Sequence, residues 1–289
     1  MKLTFGDKLF QLFNYAFLIA AASTMLLPLL QLLAVSFSSP IAADSKKVFL
    51  LPVEFTAASW LHILQNEGLW LSFGITAYIT IVGTLISMLF SVLTAYPLAH
   101  KDFLIRKPIM VGIIITMIFN APMIPFFLTV RELGLMNSLW ALILPGVIGT
   151  FNMIIIRTFF MGIPKELDDS ARIDGCSDAG ILFRIYLPLS KPVMATVSLF
   201  YAVGYWNTFS RAVLFIRDPE KWPLQMKLRA YLTSPEELAS VNLVLGDYDF
   251  NTTTLKAATI LFATIPIVLV YPYLQKYFVK GSMLGSLKE

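Results

Sequence analysis

Charge is the first thing this chain lacks. Of its 289 residues only 14% are Asp, Glu, Lys or Arg, where a soluble domain carries about 25%. So few charges cannot cover a water-facing surface, which excludes an ordinary soluble domain and places the chain among membrane proteins. Cysteine is nearly absent too. Cys176 stands alone, so no internal disulfide forms, and it reads as an ordinary small residue. The two histidines, His62 and His100, lie far apart with no ligand spacing around them, so neither a metal site nor another cofactor is expected. No GxxxxGK[ST] phosphate loop occurs, so the chain does not hydrolyse ATP by that route. The net charge of +4 does not point to nucleic acid, because the bases are scattered between apolar runs.

What is present is oil. Hydrophobic residues make up 57% of the chain, and a membrane-spanning helix needs about 20 mostly apolar residues in a row. Six segments qualify, near 12–36, 72–98, 108–130, 138–161, 192–210 and 256–276. The first follows MKLTFGDK and contains AAAS, but its apolar run is longer than the h-region of a signal peptide, so it is expected to remain as an uncleaved span. The short loops set the orientation. HKDFLIRK (100–107) holds Lys101, Arg106 and Lys107; the central stretch adds Lys165, Arg172, Arg184 and Lys191; the tail adds Lys276, Lys280 and Lys288. With six spans these fall on the side of Lys2 and Lys8, so both termini are expected to be cytoplasmic. The opposite side carries Lys46, Lys47 and Arg131 in its short loops, and a long loop at about 211–255. That loop is too long for a simple connection and reads as a folded cap or docking surface, with a capped helix start at TSPEELASV. The expected fold is therefore all-α, one polytopic membrane domain over 1–289.

The apolar cores of the six spans contain no Asp, Glu or Lys, and Arg157 is their only Arg. Ion-coupled carriers place ionisable groups inside the membrane, so their absence argues against a secondary transporter. Nor do the spans hold a Ser/His or paired-carboxylate arrangement for hydrolysis. If this chain moves a solute uphill, another subunit supplies the energy. The polar residues inside are neutral: Asn120, Asn152, Tyr205, Trp206 and Asn207, with Tyr78, Tyr96 and Tyr201 nearby. Helix-to-helix hydrogen bonding and interface anchoring explain each singly, while a path lined by amides and flat rings suits a neutral, hydroxyl-rich solute. Pro122, Pro125, Pro145 and Pro266 are placed to bend or interrupt spans.

The densest cluster of charge, KELDDSARIDGCSDAGILFRIYLPLSKP (165–192), lies between the fourth and fifth spans. Pro164 suits a first helical position, and Glu166, Asp168 and Asp169 fall in the first turn, where the helix dipole favours acids. Asp169 and Arg172 are spaced to pair on one face. Gly175 breaks the run as a left-handed C-terminal residue, a second helical segment follows through Ala179, Leu182, Phe183 and Tyr186, and Leu187–Pro188 is expected to end it. From local rules alone this is a helix, a glycine and a helix on the cytoplasmic face.

DSARIDGCSDAGILFRIYLP resembles the EAA loop of ATP-binding-cassette importer permeases, E-A-A-x3-G-x9-I-x-L-P. Asp169, Ser170 and Ala171 stand at the E-A-A positions, Gly175 at the glycine, and Ile185, Leu187 and Pro188 at the end. Asp replaces Glu and Ser replaces the first Ala; the acid is retained with a shorter reach. GYWNTF (204–209), the following PLQMKLR and the tail YPYLQKYFVKGSMLGSLKE are similar to the carbohydrate-uptake, MalG-type branch. The resemblance implies a non-catalytic, multi-pass subunit of the bacterial cytoplasmic membrane. Its coupling loop, about 162–191, would dock in a groove of a cytoplasmic ATPase dimer. Glu166, Asp169, Ser170, Ala171, Arg172, Asp174 and Gly175 would form the docking segment, with Ile185, Leu187 and Pro188 attaching it to the fourth and fifth spans. A second, homologous permease would complete the path, and an extracytoplasmic solute-binding protein would deliver an oligosaccharide near 211–255. Two other readings stand beside this one: the same machine for another solute, such as an amino acid or peptide, or a non-transporting scaffold or channel.

Overall fold

The computed structural model describes residues 4–119, 121–233 and 250–286. Among these the chain is helical, in the order α1 (Phe5–Ser36), α2 (Pro40–Asp44), α3 (Ala58–Gln65), α4 (Glu67–Ala99), α5 (Arg106–Ile118), α6 (Met123–Glu132), α7 (Trp140–Ile143), α8 (Thr150–Met161), α9 (Lys165–Ile173), α10 (Asp178–Ile181), α11 (Leu187–Leu189), α12 (Lys191–Trp206), α13 (Ser210–Phe215), α14 (Leu224–Thr233) and α15 (Thr252–Ser286). The helices Phe5–Ser36, Glu67–Ala99 and Thr252–Val270 are each long and apolar enough to cross a membrane. Two bent pairs have the same composition, α5 with α6 and Trp140–Gly146 with α8, the latter bent by 46°. The region of the expected fifth span is α12, whose 16 residues fall short of the about 20 that a bilayer core requires. The chain divides into two compact units, Met1–Trp70 with Leu228–Ile265 and Leu71–Lys227 with Pro266–Glu289.

In the first unit, α1 opens on a capping box. The Thr4 hydroxyl accepts the Asp7 N–H at 3.3 Å, and the Asp7 carboxylate accepts the Thr4 N–H at 2.9 Å. Only Ala34 and Ser36 of this helix are buried, as suits a segment apolar all round whose natural surroundings are lipid. Its end is gathered by short polar ties. Trp60 donates to the Ser36 hydroxyl at 3.1 Å, Ser59 to Thr254 at 2.8 Å, and Thr253 to the Asp44 carboxylate at 2.7 Å.

The second unit is built on α4, α8 and α12. Ile79, Val92 and Leu98 of α4 meet Met153, Ile156 and Phe160 of α8 and Val197 of α12 in one core. Two serines on α4, one turn apart, face two tyrosines on α12, also one turn apart. Ser87 lies 2.8 Å from the Tyr205 hydroxyl and Ser91 2.6 Å from that of Tyr201. Both phenols then reach the backbone where Leu144–Pro145–Gly146 breaks the helix. Tyr205 donates to the Ile143 carbonyl at 3.2 Å, and Tyr201 accepts the Gly149 N–H at 2.8 Å. Arg211 donates to the Leu142 carbonyl at 3.2 Å, and Arg157, the one charge expected within the spans, donates to the Leu98 carbonyl at 2.8 Å near the end of α4. Proline has the expected effect at Pro145, whereas α15 continues through Pro266.

The approach of α4 to α12 is close enough to require Gly83. A Cβ there would fall 2.8 Å from the Tyr205 ring, whose hydroxyl is held on both sides. Gly83→Ala is expected to lower stability by about 1–3 kcal/mol through overpacking, read as a reduced Tm of the detergent-solubilised protein.

Candidate functional site

Helix α9 begins after Pro164 as its N-cap, one residue later than local rules suggest, and carries Glu166 and Asp168 in its first turn. It ends in a Schellman turn. Gly175 donates to the Arg172 carbonyl at 3.0 Å, and Cys176 to the Ala171 carbonyl at 2.9 Å. Gly175 takes φ +78°, the left-handed region that the expectation required. Ser177 then caps α10 by accepting the Gly180 N–H at 3.2 Å.

The second half differs from the expectation that Leu187–Pro188 ends the helix. Leu182–Tyr186 widen into a π turn, with Leu187 donating to the Leu182 carbonyl, and the chain stays helical through Pro188. A wider turn moves the carbonyls away from the proline ring and leaves its missing N–H without consequence. The interruption comes instead at Ser190, with φ −97° and ψ 9°. Ile181, Leu182 and Tyr186 are the buried roots of this half; Ile185 and Leu187 pack at their edge, and Pro188 is exposed.

The charges sort by face. Glu166, Asp169, Ser170 and Asp174 are exposed, Ala171 is half-buried against the core, and Ile173 projects with 87% of its surface free. The expected Asp169–Arg172 pair does not form. Arg172 turns to Asp178, across the glycine turn, at 2.6 Å, and to Asp168, one helical turn back, at 3.5 Å. The Asp178 hydrogen bond is the main influence raising the Arg172 guanidinium above its ordinary pKa. Asp168, beside the exposed Asp169, points inward. Its carboxylate lies 3.4 Å from His100 Nε2, and His100 Nδ1 lies 2.9 Å from the Tyr96 carbonyl. Burial, and then the Asp168 charge, push the Tyr186 phenol above its usual pKa. Sequence reasoning missed His100 and Asp168 as partners. Arg172 was read with Asp169 instead of Asp168, and the histidine, 68 residues earlier, offers no local signal.

The residues expected along a path are dispersed. Asn120 lies outside the described residues. Asn152 is half-buried in the first turn of α8. Tyr205 is buried with its hydroxyl committed as above, and the exposed Asn207 caps α12 by donating to the Val203 carbonyl at 2.9 Å. Trp206 stands edge-on to Phe73 at 5.7 Å and lines a recess of about 210 Å³ with Ala77, Thr80, Ile81 and Val203. Where the long loop begins, Asn137 at φ +57° accepts the Arg217 and Asp218 N–H groups at 3.1 and 3.0 Å, and Leu224 donates to Thr76 on α4 at 2.7 Å. The first part of the long loop is therefore folded onto the second unit. The helix start read at TSPEELASV lies outside the described residues except for Thr233, the last residue of α14.

A Cβ at Gly175 would meet nothing within 4 Å, so substitution there costs backbone conformation alone. Gly175→Val should destabilise the turn by about 1–2 kcal/mol, and Gly175→Asn by markedly less, because Asn tolerates the left-handed region. Amide exchange at Gly175 and Cys176 should rise in that order.

Residues 84–282 match the family of binding-protein-dependent transport system inner membrane components. The chain is 43% identical to the polygalacturonan/rhamnogalacturonan transport system permease protein YtcP of Bacillus subtilis, covering 98% of this chain and 99% of that one. It is 32% identical to the arabinooligosaccharides transport system permease protein AraQ of Halalkalibacterium halodurans, covering 90% of each. In structure it is similar to a chain of a bacterial ABC transporter involved in the import of the acidic polysaccharide alginate. The TM-score there is 0.90 at 33% identity, over 96% of this chain and 99% of that one. The chain belongs to the family of binding-protein-dependent transport system inner membrane components, the non-catalytic permease subunits of ATP-binding-cassette importers.

Proposed function

We propose that the chain forms one half of the translocation path of an oligosaccharide importer and takes its drive through α9. In this reading 1–289 is one permease domain with six spans, both termini are cytoplasmic, and a second, homologous permease supplies the other half. A cytoplasmic ATPase dimer receives the segment 162–191, and an extracytoplasmic solute-binding protein delivers sugar at the side of 211–255. Relatives named for polygalacturonan, rhamnogalacturonan and arabinooligosaccharides support oligosaccharides as the substrate class.

The observation that carries the coupling role is the exposed face of α9. Asp169, Glu166 and Ser170 are all free to meet a partner, and Ile173 at 87% exposure is an apolar knob beside them. An apolar side chain this free among charges, outside the long apolar helices, is one that a docking protein can bury. The Schellman turn and the buried Ile181, Leu182 and Tyr186 hold that knob on a firm base. Asp169 gives the register, because a basic groove accepts an acid at one place along the helix.

Asp169→Lys should abolish ATP-driven uptake in cells while the protein remains at its normal level in the membrane; uptake at the wild-type rate overturns the assignment. For the path, Trp206→Ala and Asn207→Ala should alter the preference among oligosaccharides of different length, measured as competition for uptake, whereas Tyr205→Phe should lower Tm through its two lost hydrogen bonds.

A further inference from the structure

Helix α9 has a single buried residue, and that residue is an acid. Of Lys165–Ile173 only Asp168 is buried, with 5% of its side chain exposed. A carboxylate without water must find donors or carry a large penalty. Its Oδ2 accepts from Arg172 Nε at 3.5 Å and lies 3.4 Å from His100 Nε2, and its Oδ1 has no hydrogen-bond partner among the described residues. Arg172 belongs to α9 itself, so among the described residues His100 is the one contact from this carboxylate to another part of the chain. His100 directly follows the last residue of α4. Its ring is held in place: Nδ1 faces the Tyr96 carbonyl at 2.9 Å, Nε2 has the Tyr186 hydroxyl at 3.4 Å, and the Tyr96 ring packs on it at 4.6 Å.

We propose that the buried Asp168–His100 contact is a direct joint between the coupling helix and the end of α4, making both positioning residues for transport. The proposal rests on the reading of α9 as the coupling helix. Helices α8 and α12 follow α9 through the covalent chain, on its two sides. Helix α4 does not; it is joined to them through the shared core and the serine–tyrosine pairs, and to α9 directly only by contacts at its end. Of the polar contacts α9 makes there, the Lys165–Asp102 pair at 3.5 Å is exposed, whereas the Asp168–His100 contact at 3.4 Å is shielded from water and so is the firmer of the two. Asp169 and Asp168 then divide the work, the first outward to the ATPase and the second inward to α4.

The test uses the full complex of ATPase, both permeases and binding protein in proteoliposomes, with ATP hydrolysis and sugar uptake measured together. Asp168→Asn and His100→Gln should leave the ATPase bound and hydrolysing. Uptake per ATP should fall by about tenfold, within the range of coupling between sites. The double variant should be no worse than either single, as for two residues acting through one contact. The exchange variant, His100→Asp with Asp168→His, should recover uptake per ATP. Unchanged uptake per ATP in both single variants, or losses that add in the double, overturns the joint. Where a single variant fails to reach the membrane, the exchange variant decides, since its failure to recover coupling also overturns the proposal. Asp169→Lys separates the two readings: a bound ATPase and normal uptake in that variant refutes the coupling helix itself, whatever the behaviour at position 168.

Discussion

Backbone groups freed where a helix breaks among apolar side chains have no water to turn to, and this chain meets that demand with two tyrosine hydroxyls. Tyr205 takes the Ile143 carbonyl and Tyr201 the Gly149 amide, while Ser87 and Ser91 on α4 hold the same phenols from behind. The pairs sit one turn apart on each helix, so α4 and α12 are fixed in register as well as in distance. Gly83 lets the Tyr205 ring come close enough to do this. Once these three elements are joined, the core of Ile79, Met153, Ile156 and Val197 has its walls, and α8 and α12 offer stable roots to the segment between them.

That segment sets opposite demands on adjacent residues. An α-helix turns by about 100° per residue, so Asp168 and Asp169 cannot face the same way. One is exposed, beside the apolar Ile173; the other is buried against His100. Arg172 serves the inner residue and, through Asp178, ties α9 to α10 across the glycine turn. A helix so charged keeps its place by hydrogen bonds and by what its neighbours bury, chiefly Ile181, Leu182 and Tyr186.

Local features were legible in the order of their range. Gly175 in the left-handed region and the acidic first turn of α9 depend on residues within four positions, and both are found as expected. The Arg172 partner was misread because i+3 and i+4 spacings compete, and because Asp178 enters only after the turn is made. Pro188 was misread as a stop because a regular helix excludes proline, whereas a π turn accommodates it. Tyr205 carried two readings, path or packing. Its hydroxyl bonds connect residues 62 and 118 positions away, which no local rule could supply.

The sequence by itself determined that this chain belongs in a membrane, that it holds no ATPase of its own, and that its charged centre is a helix, a glycine and a helix. Those follow from composition, from a missing motif and from interactions between near neighbours. Only the tertiary structure decided which acid of α9 faces inward, that His100 receives it, and that serine–tyrosine pairs carry the helix break. The reason is physical: a side chain shows its choices within a turn, but the burial that selects among them comes from elements far away in the chain.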